Sequence, residues 1–190
     1  STHSTRRPPE SEGKAIADAI ALAAKHGTQF HVAHLSTSFG LEHIRQAKAD
    51  GLPITCEACP HHLFCSTEDY EQLGTHIKMN PPVRSPEHCE ALWGGILDGT
   101  IDCAATDHAP HTIDEKAIDP PLDAPSGVPG VETMLPLLLT VAAGKWPHPT
   151  SAMPSAVETG QFSYDDVLRL CFINPTRIYS LGASEEPRIT

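Results

Sequence analysis

The sequence has little positive charge, no long apolar run and none of the glycine-rich loops that cradle phosphates. Its 190 residues carry 13 Lys+Arg against 24 Asp+Glu, a formal net charge of −11. That balance excludes nucleic acid and an anionic membrane surface as main partners. No stretch reaches the ~18–20 apolar residues needed to span a bilayer. The best candidate, 131–143, is interrupted by Glu132, Thr133 and Pro136. No Gly-x-Gly-x-x-Gly and no Gly-x-x-x-x-Gly-Lys-[Ser/Thr] occurs, so nucleotide loops are unsupported. No Gly-x-Ser-x-Gly occurs, which removes the main serine-nucleophile signature and leaves Ser36 as its one well-placed serine. No apolar leader and no initiator Met opens the chain, and the missing Met marks it as an expected piece of something longer. The six cysteines (Cys56, Cys59, Cys65, Cys89, Cys103, Cys171) are irregularly spaced and form no disulfide scaffold. They are expected to be reduced, in a cytoplasmic protein.

What is present is a core-forming 39% of hydrophobic residues, in an alternating order of helix and strand. A helix is predicted near Ser11–His26, with Ile16, Ala19, Ile20 and Ala23 at helical spacing and Gly27 as its stop. A short strand follows at Gln29–Ala33. Leu41, Ile44, Ala47 and Ala49 mark a second helix ending before Gly51, and Pro53–Ala58 a second strand. A short helix is expected over Ser66–Leu73. Ser85-Pro86 opens another, with Ser85 as its cap. Ile101–Ala105 is the third strand, followed by a long loop, Thr106–Gly130. An apolar helix at Val131–Ala143, an exposed Pro/Ser-rich excursion at Lys145–Gly160, a capping box at Ser163 and a last helix around Thr176–Leu181 complete the chain. Strands alternating with helices imply βαβ units and a parallel sheet. Three strands leave two raw edges, so the chain is read as the tail of a larger β/α array rather than as a small three-layer domain.

Twelve histidines carry the chemical signal. Six of them fall in three clusters: His31-Val-Ala-His34, Cys56-Glu57-Ala-Cys59-Pro-His61-His62 and Asp107-His108-Ala-Pro-His111. Each cluster lies at or just past the C-terminal end of a predicted strand, where β/α folds place their chemistry. His and Asp there point to a divalent metal or proton-transfer site. Blander readings stand beside this. His31, inside its strand, is read as packing. The Cys56/Cys59 spacing is read as a structural pair, since an extended strand holds the sulfurs roughly 10 Å apart. His62 and Glu57 could be hydrogen-bonded core groups, and Asp107 a turn cap.

Five segments together resemble dihydroorotase, in the cyclic-amidase branch of the amidohydrolase superfamily. They are His31-Val-Ala-His-Leu-Ser-Thr37, Thr55-Cys-Glu-Ala-Cys-Pro-His-His-Leu63, Lys78-Met-Asn-Pro-Pro-Val-Arg84, Gly99 through His111, and Pro129-Gly-Val-Glu-Thr-Met-Leu-Pro136. The likeness covers Arg7 to about Leu181; allantoinases and dihydropyrimidinases are similar. It implies the C-terminal part, about three βα units, of a TIM-type β/α barrel of the metal-dependent amidohydrolase kind, with strands six to eight of eight. It implies one or two Zn2+ per intact active site, held here by His34 and Asp107, with Asp107 also the general base. Glu57 and His62 match an auxiliary metal or substrate site. Asn80, His111 and the backbone of Pro129 and Gly130 match substrate contacts. The implied reaction is the reversible opening of dihydroorotate to N-carbamoyl-L-aspartate in pyrimidine biosynthesis. Implied partners are this small molecule, a homo-oligomer or other pyrimidine-pathway enzymes, with no nucleic acid and no membrane. The family's first-strand His-x-His, its bridging Lys or Asp and its fifth-strand His have no counterpart in this chain. The competing expectations are an allantoinase or dihydropyrimidinase, and an inactive dihydroorotase-like scaffold subunit.

Overall fold

The computed structural model describes residues 2–148, 153–159 and 161–182. Three parallel strands, β1 (Phe30–Val32), β2 (Ile54–Ala58) and β3 (Cys103–Ala104), lie in the order β1-β2-β3. Phe30, His31 and Val32 pair with Ile54, Thr55 and Cys56, and Glu57 and Ala58 pair with Cys103 and Ala104. The helices Ser38–Ala49 and Pro86–Leu97 make the two crossovers. Parallel neighbours require such crossovers, because a tight hairpin cannot reverse the chain twice.

The period of 2 along β2 sorts its side chains onto two faces. Ile54, Cys56 and Ala58 are buried, while Thr55 and Glu57 are half-buried. The buried face meets an apolar cluster that includes Leu41, Ile44, Leu92, Trp93 and Ile96, all at most 2% exposed. The two crossover helices touch closely at Gly95, where a Cβ would fall 2.7 Å from Leu41 Cδ1. The opposite face carries His31, Thr55 and Glu57.

A four-residue helix, Thr2–Thr5, opens the described residues; the long helix predicted near Ser11–His26 runs over Pro9–His26, and Gly27 ends it in the left-handed conformation at φ 60°. The capping box expected at Ser163 is present, and the helical path from Tyr164 continues to Ile178 through a widened π turn at Arg169–Ile173. That turn stands directly before Pro175, which has no N–H to return to the carbonyl four residues back.

Several expectations are corrected. The third strand shrinks to Cys103–Ala104. The expected loop at 106–130 contains a helical turn, Ile113–Lys116, started by a capping box of Thr112 and Glu115. A further short helix, Pro60–Phe64, follows β2. Ser85 precedes its helix, but its side chain makes no capping bond to the backbone. The expected excursion at Lys145–Gly160 includes the helical turn Ser155–Glu158; its residues 149–152 and 160 lie outside the described residues. Among the described residues no helix is long and apolar enough to cross a membrane.

Candidate active site

The site forms where the chain leaves the three strands. His34 lies two residues past β1, at φ 38°, and Asp107 three residues past β3, at φ 43°. Among the described residues three non-glycine residues have positive φ, and these are two of them; the third is Ser180. Left-handed backbone is sparsely populated by side-chain-bearing residues and persists where the surroundings impose it. Around His34 those surroundings are visible. Its N–H donates to Glu57 Oε1 at 3.3 Å. The next turn is held by Glu12, which accepts from the Ser36 N–H and hydroxyl and from the Thr37 hydroxyl. Buried Arg84 donates to Ser36 Oγ at 3.0 Å and lies 3.6 Å from Glu12. Burial pushes the Arg84 guanidinium below its usual value, while Glu12 pulls it back up.

No hydrogen bond or ion pair among the described residues uses the His34 ring or the Asp107 carboxylate, and both side chains are half-buried. An imidazole and a carboxylate, both uncommitted and both held in costly backbone conformations past the ends of β1 and β3 on either side of β2, fit a divalent metal's donor chemistry. Both act on one region electrostatically. Asp107 helps raise the Cys59 thiol, and His34 helps lower the His61 and His62 imidazoles.

Glu57 and His62 join different groups. Glu57 sits with His31 and Cys103, and its carboxylate is 3.2 Å from His31 Nε2. Burial raises its pKa, but the bonds from His31 and the His34 N–H outweigh that, leaving it below the usual range. His62 sits with Cys59 and His61. The packing reading of His31 is therefore corrected: its ring bonds Thr55 Oγ1 at 2.7 Å and lies 3.2 Å from both Glu57 Oε2 and Tyr179 Oη. The sheet face it occupies is polar because its neighbours on β2 are Thr55 and Glu57. His34 lies outside the strand.

Of the residues matched to substrate contact, Asn80 is exposed and His111 is half-buried, 3.9 Å from Glu115. Gly130 is buried and committed within the protein. Its N–H donates to His108 Nδ1 at 3.0 Å, and its carbonyl accepts from the N–H groups of Thr133 and Met134. That leaves Gly130 no free main-chain polar group for a substrate. Sequence reasoning missed His108 as the group that pins 130–131. It also missed two buried lysines. Lys116 Nζ donates to the carbonyls of Lys78 (3.0 Å), Pro125 (3.1 Å) and Gly127 (2.8 Å). Lys78 Nζ donates to Pro121 (3.1 Å), Leu122 and Ala124. Gly127, at φ 148°, leaves no room for a Cβ against the Ala109 carbonyl. The lysines thus knot the segments that bear Asn80, His111 and Pro129. The Thr112-x-x-Glu115 capping box was readable in the sequence and could have signalled the ordered loop.

No family model matches the chain. Curated relatives do. A dihydroorotase of Halobacterium salinarum is 45% identical over 178 residues, 94% of this chain and 37% of that protein. One of Bacillus licheniformis is 49% identical over 141 residues, 73% of this chain and 33% of that protein. The chain thus spans about a third of the length of the curated relatives it matches. Among solved structures, the L-hydantoinase (dihydropyrimidinase) of Arthrobacter aurescens superposes with a TM-score of 0.78 at 29% identity, over 94% of this chain and 37% of that one. A dihydropyrimidinase of Brevibacillus agri gives 0.81 at 23% identity, over 95% of this chain and 38% of that one, which speaks for the fold alone. The open three-stranded sheet with its helices is part of an amidohydrolase β/α barrel.

Proposed function

The chain is a homologue of the dihydroorotases, and we propose that it supplies the last three strands of a zinc-dependent dihydroorotase barrel. The observation that carries this reading is the pair His34 and Asp107. Both are uncommitted, both are at positive φ, and both lie just past a strand end.

In this reading His34 and Asp107 are two of the zinc ligands. Catalytic zinc takes three protein ligands plus water, so the remaining donors come from elsewhere in the barrel. Bound zinc supplies polarisation of the ring amide carbonyl and a lowered pKa for water. Asp107 takes the proton of the attacking water and hands it to the leaving ring nitrogen. His111 and Asn80 orient the substrate by hydrogen bonds. Pro129 lines the ring, while Gly130 holds the loop through His108 rather than touching the substrate. Glu57 keeps His34 in place through the His34 N–H. The substrate is dihydroorotate and the product N-carbamoyl-L-aspartate, reversibly; a cytoplasmic homo-oligomer or an assembly with other pyrimidine enzymes completes the reading.

The test is turnover by the whole barrel that contains this chain, offered dihydroorotate, dihydrouracil, hydantoin and allantoin. Dihydroorotate is expected to be preferred. Asp107→Ala should lower kcat by at least about 100-fold; His111→Ala should damage turnover with zinc content intact. A preference for hydantoin or dihydrouracil would transfer the chain to the activity named for its structural neighbours. No turnover of any of the four would favour a scaffold role.

A further inference from the structure

Three donors on either side of Pro60 have no use in the mechanism above. Cys59 ends the path of β2, and the short helix Pro60–Phe64 turns His61 and His62 inward instead of into solvent. Cys59, His61 and His62 are 0%, 7% and 2% exposed. The Cys59 sulfur and one nitrogen of each ring all lie within 4.8 Å of one another. The rings themselves meet edge to face, with centroids 4.3 Å apart.

Both rings are unsatisfied. His62 Nε2 is 2.9 Å from the Pro81 carbonyl, which only accepts, so Nε2 carries the proton. A neutral ring then has a bare lone pair on Nδ1, and that atom is buried with no partner among the described residues. His61 Nε2 is likewise buried with no partner, so the nearby thiol satisfies neither ring. Buried polar atoms are almost always paired, and an orphan calls for a missing bonding partner. Burial holds both imidazoles neutral, at about 2 for His61 and about 4 for His62. Neutral is the form that binds metal.

We propose that Cys59, His61 and His62 form a second divalent-metal site, distinct from the His34/Asp107 pair and built from one thiolate and two imidazoles. Zn–S bonds of about 2.3 Å and Zn–N bonds of about 2.0 Å bring such donors within reach by small side-chain rotations. The soft sulfur selects zinc, cobalt or copper over magnesium and calcium. Binding releases the thiol proton and replaces it with the cation, which compensates the carboxylates of Glu57 and Asp107 that oppose ionisation of Cys59. The proposal shares no donor with the His34/Asp107 pair and stands if that reading fails; His62, matched by resemblance to an auxiliary site with Glu57, is grouped here with Cys59 and His61 instead.

The experiment is cobalt titration of the metal-free 190-residue chain, followed by absorbance. A thiolate-to-cobalt charge-transfer band is expected to saturate, and zinc should displace it. Cys59→Ser should abolish the band, and His61→Ala should weaken cobalt binding by roughly tenfold or more. His34→Ala and Asp107→Ala should leave the band unchanged. Circular dichroism confirms that each variant is folded; if Cys59→Ser does not fold, His61→Ala decides, because its orphaned ring nitrogen holds no protein contact. No band in the folded wild-type chain would overturn the proposal. So would a band that survives Cys59→Ser and vanishes in Cys103→Ser, which would place the metal with His31 and Glu57.

Discussion

Two buried polar clusters flank the strand ends, and they are finished in opposite ways. In the loop knot, Lys78 and Lys116 are 5% and 4% exposed, yet their ammonium groups meet six backbone carbonyls. At the end of β2, His61 and His62 are buried to a similar degree, yet each keeps a nitrogen with no partner among the described residues. Burial depresses the pKa in both places, most of all for His61 and to about 8 for Lys116. Similar burial therefore has different consequences. A saturated cluster fixes the chain around it, and its donors are unavailable to anything else. An unsaturated one leaves lone pairs that only a ligand can use. The first is scaffolding for the loop that bears His111; the second is a receptor.

Alkali should separate the two regions most strongly. Burial raises the Cys56 thiol from 9.0 to about 12 and shifts Cys59 the same way. The unfolded chain loses these protons near pH 9 while the native one still holds them. Native protein then binds more protons, so stability falls as pH rises from 9 towards 12. Burial raises Cys65, Cys89, Cys103 and Cys171 as well, so six thiols act in the same direction, each with a loss of about 1.4 kcal/mol per pH unit. Lys116 acts in the opposite direction. Its depressed native pKa means the unfolded chain binds the extra proton between pH 8 and 10.5, so this contribution rises with pH. Urea unfolding of the metal-free chain at pH 8, 9 and 10 measures the net slope. Cys59→Ala should lessen the slope by one thiol's share, about 1.4 kcal/mol per pH unit; an unchanged slope would show that Cys59 is not the buried, protonated thiol described here.

The knot is tested by removing one of its cations. Lys116→Met keeps the aliphatic stem and deletes the three donors. The carbonyls of Pro125 and Gly127 lose the partner they have, whereas that of Lys78 keeps the Gly127 N–H. Two orphaned carbonyls cost about 3 kcal/mol in unfolding free energy. A loss below about 0.5 kcal/mol, typical of an exposed lysine, would mean the knot does not form.

How much of this was legible in the sequence follows from the range of each interaction. Helix stops at Gly27, the alternation along β2 and the Ser163 capping box depend on neighbours within a few residues, and all were readable. Each histidine cluster was placed correctly at a strand end. His31 was misread because alternation tells which face a residue takes but not what crosses that face. Its ring meets Tyr179, 148 positions away. The lysine knot was invisible for a related reason. Lysine is exposed by default, and the carbonyl cage around Lys116 is assembled from residues 78, 125 and 127 only after folding. Cys59 was read as a structural cysteine, and His62 as a core group or, by resemblance, part of an auxiliary metal or substrate site with Glu57; their grouping with His61 was not readable, since nothing local announces that a buried ring nitrogen will lack a partner.

The smallest effect is the sharpest test of the contrast. His61→Leu replaces a buried ring whose Nε2 bonds nothing among the described residues by an apolar side chain of similar, slightly larger volume and different shape. The substitution removes a desolvated polar atom at no cost in hydrogen bonds, but a branched side chain must repack where a flat ring sat. These terms oppose each other, and the metal-free chain should change in stability by less than about 1 kcal/mol in either direction. The same burial in the knot makes Lys116→Met several times costlier, so the ratio of the two losses measures saturation rather than burial. With zinc present the ranking should narrow. The wild-type chain gains stability by mass action as zinc exceeds its dissociation constant, and His61→Leu forfeits most of that gain. Equal losses for His61→Leu with and without zinc would leave the orphaned nitrogen as a packing defect and remove the receptor from the comparison.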